Sequence, residues 1–338
     1  MMAGLGTVAV VGLLLSAQGC AGRATSASAI VQPSDRITLA AAREVFESYV
    51  TTSDVAEASS DELLALSLVT DGQQPLVAAQ FRTAIYVGVP LLRYQYGQPS
   101  IYVPRLTTFP LWFVAVTPRR PTGGGPSATT MMVFDRPSLQ AAWRLSISAL
   151  LNPGAPAPRV ALDGSGYATA LASYDQSLMA SPQAVGPLQA TVADDGSASQ
   201  AAKIVAAGPQ TTGLHATIHA AGTQAKALGY IYQAEVEGTD FPEFALRTSD
   251  GGALVLYAMA ENVLITQPPP PIPGVLATPI QIPYGFSALL PPHQALIRHT
   301  LTTTAVQQYA AVVPPARVTG RKIQVIAFAG GPTMASGH

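Results

Sequence analysis

The chain predicts an α+β fold in two similar halves, each a set of helices followed by a curved antiparallel sheet. Three observations carry that expectation. Apolar residues recur at helical spacing from Thr38 to Tyr86; short runs rich in Val, Ile, Tyr, Trp and Phe replace them from Ser100 onward; and the same order returns after a Pro/Ala/Gly stretch. Helices first and a meandering sheet after them pack as helices on one sheet face. The expected parts are a signal peptide over 1–19, a flexible tether over 20–35, a first α+β domain over 36–151, a linker over 152–160 and a second α+β domain over 161–338.

At the N-terminus, Val8 to Leu15 form an uncharged apolar run, followed by Ser16-Ala17-Gln18-Gly19 and then Cys20, the single cysteine of the chain. An apolar core, a small-residue cleavage stretch and a cysteine that receives lipid make a bacterial lipoprotein signal. Two positions depart from the usual pattern. Met1 to Gly6 lacks Lys and Arg, and Ala17 stands where Leu or Val is common. An ordinary secretory peptide cut near Gly19 is the alternative. The run is shorter than the ~20 residues of a membrane-spanning helix. Ala21 to Ala29 is a Gly/Ala/Ser/Thr segment with one charge, Arg23, too poor in apolar bulk to fold.

Thr38 can cap a first helix carrying Leu39, Ala42, Phe46 and Tyr49. Ser59-Ser60-Asp61-Glu62 reads as a capping box for a second helix, and Pro75 suits the first turn of a third that runs toward Tyr86. Strands are expected at Ser100–Pro104, Leu111–Thr117, Thr130–Phe134 and Trp143–Ser148, punctuated by Thr122-Gly123-Gly124-Gly125. Asn152 to Pro158 is the linker candidate. In the second half, helical pattern is read at Tyr167–Leu178, Pro182–Val192 and Pro209–Leu228. Strand pattern is read there at Tyr230–Glu237, Phe244–Thr248, Ala253–Met259, Ala305–Val313 and Lys322–Ala329. The stretch from Phe109 to Thr117 is echoed by Phe241 to Thr248, and Met131–Phe134 by Leu254–Tyr257. These two short matches suggest an internal duplication. The charge-free stretch between Glu261 and Arg298 holds Pro268 to Pro271 and three further prolines, so it reads as loop and short strand rather than a membrane span.

Charge is sparse, with 18 Lys plus Arg against 19 Asp plus Glu and a net charge of −1. That balance argues against nucleic acid, which is bound through basic patches. With no cysteine after Cys20, the folded part has neither a disulfide framework nor a thiolate metal site.

Several stretches carry a family resemblance. They are Ala42 to Tyr49, Ser100 to Arg105, Phe109 to Val116, Ala142 to Leu145, Phe244 to Val255 and Ala329-Gly330-Gly331-Pro332. On them the chain resembles a group of uncharacterised actinobacterial lipoproteins that share a large domain of unknown function. The resemblance spans nearly all of the mature chain and implies no catalytic residues. The order of elements is also similar to the cone of the nuclear transport factor two-like fold, and fold alone does not imply function.

No constellation in the chain commits it to a reaction. His215 and His219 stand one helical turn apart and could hold one zinc, but the general-base Glu of an HExxH helix is replaced by Ala216 and no third ligand is near in sequence. They read as a solvated helix face. Glu235 and Glu237 share one strand face, opposite the apolar set Tyr230, Tyr232, Ala234 and Val236, and so lie on the wet side. Asp163-Gly164-Ser165-Gly166 is a turn, not a nucleophile elbow, and Gly123-Gly124-Gly125 lacks the Lys-Ser/Thr of a phosphate loop. Arg317, Arg321 and Lys322 form a modest basic cluster that protects a strand edge or touches anionic headgroups. The aromatics Tyr94, Tyr96, Tyr102, Trp112, Phe113, Phe134 and Trp143 are read mostly as core, and any ligand pocket is expected between the first half's helices and the sheet.

The sequence therefore predicts an exported lipoprotein, acylated at Cys20 with fatty chains such as palmitate and held at the extracytoplasmic face of the cell membrane. Its expected role is non-enzymatic binding or interaction at the cell envelope, with an apolar small molecule, a lipid or an envelope protein as partner. No catalytic residue, metal or cofactor is assigned. The alternative is an isomerase- or dehydratase-type enzyme working in a cone-shaped pocket.

Overall fold

A computed structural model describes residues 36–269, 277–283, 285–292, 294 and 296–338. The signal, the tether and Cys20 lie outside these residues. Thr38 caps α1 (Leu39–Ser59) by accepting a hydrogen bond from the Ala41 amide at 3.1 Å. α2 (Glu62–Ser67) follows, capped by the Asp61 carboxylate on the Leu64 amide at 2.9 Å, and then α3 (Gln73–Val87). Next come β1 (Tyr94–Tyr96), β2 (Ser100–Tyr102), β3 (Leu111–Pro121), β4 (Ala128–Arg136) and β5 (Arg144–Leu151). The second half has α4 (Val185–Asp195), α5 (Thr212–Ala227), β6 (Ile231–Gly238), β7 (Phe244–Arg247), β8 (Ala253–Thr266), β9 (Thr300–Val313) and β10 (Gln324–Gly337). The folded elements are thus helices plus an antiparallel open sheet, an α+β arrangement.

All ten strands belong to one sheet, ordered β1-β3-β4-β5-β10-β9-β8-β6, with β2 also on β3 and β7 also on β8. The order is palindromic about the β5–β10 junction. In the first half, β1 pairs with the end of β3 and β2 with its start; in the second, β6 pairs with the end of β8 and β7 with its start. Topology therefore equates β3 with β8 and β4 with β9. The sequence echo instead aligned β3 with β7 and β4 with β8, one strand out. Strands buried on both faces look alike, so short apolar matches do not fix which strand corresponds to which.

The junction itself is short. Two residue pairs, Leu150 with Phe328 and Leu151 with Ala327, join the strands across it, and the Asn152 amide donates to the Ile326 carbonyl at 2.7 Å just beyond them. Each half-sheet turns one face to a shared cluster that contains Val114, Met131, Val133, Leu254, Leu256 and Ala310. Trp112 of β3 meets Phe244 of β7 there, with ring centroids 5.3 Å apart. Alternate residues face the other way. Phe113, Met132 and Phe134 pack with Phe46 of α1, while Val255, Tyr257 and Met259 pack with Val185 and Val192 of α4. The layers run helices, half-sheet, half-sheet, helices.

The expected helix at Tyr167–Leu178 is not formed. Leu171 donates its amide to Ala245, Arg247 to Thr169 and Ala168 to Val103, so 168–171 runs extended between β7 and the residues after β2, and turns follow at 173–177. Four apolar residues at helical spacing were outweighed by two strand edges offering unpaired backbone groups, which tertiary contact then satisfied. The other helices and strands appear where expected, but β8, β9 and β10 run longer, and β1 was not anticipated.

Candidate functional site

At the junction the two half-sheets part, and polar side chains fill the seam. β5 cannot reach β10 beyond Leu150, so its backbone finds other partners. The amide of Ser148 donates to Gln308 Oε1 at 2.8 Å, and Gln308 Nε2 donates to the Ser146 carbonyl at 3.0 Å. Gln308, on β9, is fully buried. Nearby the turn after α2 docks on β5: Leu145 donates to Leu68 O and Thr70 donates to Leu145 O, each at 2.9 Å. That turn delivers Asp71, whose Oδ2 accepts from Ser146 Oγ at 2.6 Å and whose backbone sits in the left-handed region at φ 48°. Asp135 of β4 is 7% exposed, and its Oδ1 is buried without a hydrogen-bond partner. Burial, reinforced by the Asp71 charge, pushes its carboxyl up to about 7.

Beside this seam α3 crosses the junction and leaves a cleft of about 450 Å³. Gln73, Leu76, Ala79 and Thr83 form its helix wall, Ala329 to Pro332 of β10 the opposite wall, and Ser148 part of its floor. Arg119 and Tyr94 close one end, the guanidinium carbon lying 4.2 Å from the ring centroid. The rim is apolar: Val89 is 51% and Leu92 49% exposed, next to the exposed Ile85, Tyr86 and Val87. The cleft lies between α3 of the first half and β10 of the second, whereas a pocket was expected between the first half's helices and its own sheet.

Apart from Tyr94, the residues singled out in the sequence fall elsewhere. His215 is half-buried, and its Nδ1 lies 3.2 and 3.0 Å from the carbonyls of Ala193 and Asp194, so it caps the end of α4. His219 is exposed, with its ring 6.4 Å from that of His215. Among the described residues no three His, Cys, Asp or Glu side chains gather to hold a metal. Glu235 and Glu237 are exposed while Val236 is buried, as the alternation required. Asp163 folds its own turn, accepting from the amides of Ser165 and Tyr167 at 2.8 and 3.0 Å; the Arg105 hydrogen bond and these amides hold its carboxyl down at about 2. Arg321 pairs with Asp250 at 2.8 Å and Lys322 donates to the Ala202 carbonyl at 2.6 Å. Phe113 and Phe134 stack at 5.0 Å in the core, with Trp143 against Phe113. The seam and cleft residues Asp71, Arg119, Asp135, Ser146 and Gln308 were missed. Asp135 did carry a signal, as a lone carboxylate ending the apolar run Met131–Phe134.

A family model described as Domain of unknown function (DUF8094) matches residues 33–337. An uncharacterized lipoprotein, SCO2278, of Streptomyces coelicolor is 28% identical over 155 residues, 46% of this chain and 44% of that protein. The chain thus covers less than half the length of that relative. An uncharacterized lipoprotein of Streptomyces avermitilis is 26% identical over 262 residues, 75% of this chain and 73% of that protein. No solved structure matches the chain. No helix among the described residues is long and apolar enough to cross a membrane.

Proposed function

The chain belongs to the DUF8094 family, and from that premise we propose that it is an exported lipoprotein, acylated at Cys20, that binds a ligand at the cell envelope without catalysis. Both Streptomyces relatives carry the name lipoprotein, and the Val8-to-Cys20 pattern supplies the acceptor. A diacylated cysteine buries two chains at about 0.8 kcal/mol per methylene, which holds the protein on the extracytoplasmic face of the membrane. The segment 20–35 then keeps the folded body within roughly 20–50 Å of the bilayer.

The observation that carries the binding reading is the α3–β10 cleft, a largely apolar hollow with a few polar side chains that opens onto an apolar rim. Its volume falls in the range of roughly 300–1,000 Å³ typical of small-molecule sites. The reading of each half as a separate cone-like α+β domain goes with this proposal. A two-piece edge strand and a three-stranded meander under helices, twice over, support it.

Intact-mass analysis of protein extracted gently from its native membrane tests the reading. A chain beginning at Cys20 with acyl groups, accompanied by a small molecule that dissociates on denaturation, is the expected result. An unmodified chain recovered from the medium overturns the anchor. A second reading, an isomerase- or dehydratase-type enzyme, draws on the Asp71–Ser146 hydrogen bond beside the unpartnered Asp135. Turnover of the co-purified molecule by the wild type, lost in Asp71→Asn, is the outcome that favours it.

A further inference from the structure

We propose that the α3–β10 cleft takes a single-chain amphiphile ending in a carboxylate, with its chain between α3 and β10 and its carboxylate on Arg119. The inference rests on the cleft being the ligand site and adds the chemistry of the ligand. Arg119 is half-buried at the end of the cleft and lies on the face of Tyr94. It takes part in none of the four ion pairs formed among the described residues. The nearby acidic groups leave it unmatched. Asp54 is held by both arms of Arg93, at 2.7 and 2.6 Å, and burial followed by the Asp54 charge pushes Glu57 up to about 7. A stacked, planar guanidinium that forms no ion pair is pre-organised for a carboxylate, which it can grip with two parallel hydrogen bonds.

The rest of the cleft suits a chain, with Gln73, Gln80, Thr83 and Ser148 set among its apolar residues. Leu76, Ala79 and Ala84 line one side and Ala329 to Pro332 the other. The two glycines of β10 have different reasons to be there. A Cβ on Gly330 would come within 2.6 Å of the Val306 carbonyl, so that position is closed by the neighbouring strand. A Cβ on Gly331 meets nothing within 4 Å, and Gly331 lines the cleft. Its missing side chain leaves room that no other protein atom uses. The exposed Val89 and Leu92 at the rim extend the apolar path to solvent.

Calorimetric titration of the mature form from residue 20, carrying Cys20→Ala, with decanoate, decanol and decyltrimethylammonium tests this. The expected result is decanoate binding at least tenfold tighter than decanol, with the cation weakest. Arg119→Gln is expected to bring decanoate down to the decanol level while leaving decanol unchanged. Gly331→Leu, whose Cβ meets nothing within 4 Å and whose side chain occupies the cleft, is expected to abolish binding of both at an unchanged thermal midpoint. Equal binding of decanoate and decanol, or a decanoate affinity indifferent to Arg119→Gln, overturns the carboxylate assignment and leaves the cleft as a binding site. Binding that survives Gly331→Leu, or no binding of any probe, overturns the cleft reading as well.

Discussion

Under α4, Tyr257 and Tyr309 stack with ring centroids 5.6 Å apart, and their hydroxyls donate to Gln189 and Gln307. Gln189 continues to the Gln210 carbonyl at 2.9 Å and Gln307 to Glu261 at 2.6 Å, so rings and amides fill that space. Where α3 crosses the junction, the facing residues are Ala79, Ser148, Ala329, Gly330 and Gly331, and a cleft remains. The two regions lie on the same palindromic strand order. Side-chain volume, not topology, decides that one is core and the other an opening.

The seam that separates the halves should be the most sensitive place to break this comparison. Gln308→Leu leaves the Ser148 amide and the Ser146 carbonyl buried without partners, and each orphaned group costs about 1–3 kcal/mol. A loss of roughly 2–5 kcal/mol in urea unfolding is expected. A loss below about 1 kcal/mol would show that Gln308 does not hold the seam.

Asp135 gives the next effect, with a pH signature. Its folded pKa, about 7, lies above its unfolded value, so the folded state holds the proton more tightly. The stabilisation it contributes is complete below about pH 4 and is lost as pH rises toward 7; above that the loss levels off. Glu57, also raised to about 7, acts in the same window. The lowered carboxyls Asp163 and Asp250 act only as pH falls below about 4. Asp135→Asn is therefore expected to be more stable than wild type by about 1–3 kcal/mol at pH 8 and nearly equal at pH 4. A constant difference across that range would contradict the buried, unpaired carboxylate.

The smallest effect belongs to the filled half. Tyr309→Phe keeps the stack on Tyr257 and removes one hydroxyl donor, so about 1 kcal/mol is expected, with no opening of a ligand site. Acquired binding of decanol by that variant would mean that the two regions differ by less than their packing indicates.

Local chemistry made much of the fold legible. Thr38 and Pro75 marked helix starts because caps and first turns are satisfied by residues a few positions away. The capping box read at Ser59–Glu62 placed α2 but not its cap, since Ser59 ends α1 and Asp61 caps α2. Alternation placed Glu235 and Glu237 on the wet face for the same reason. The seam was not legible, because Gln308 meets Ser146 and Ser148 across 160 or more residues, and no local pattern marks an amide that replaces a missing strand contact. Arg119 lies beyond the strand expected at Leu111–Thr117 and drew no reading at all, since its place at the cleft depends on Tyr94 and α3.

The sequence by itself determined most of the helices and strands, the sparse charge and the cysteine that ends an apolar run, since each is written in neighbouring residues. Only the tertiary structure decided that ten strands form one sheet joined by two residue pairs, that 168–171, inside the expected helix Tyr167–Leu178, runs extended, and that small residues on β10 face α3 across open space. Those outcomes depend on which distant backbone edges find each other and how much side-chain volume is left to fill the gap between them.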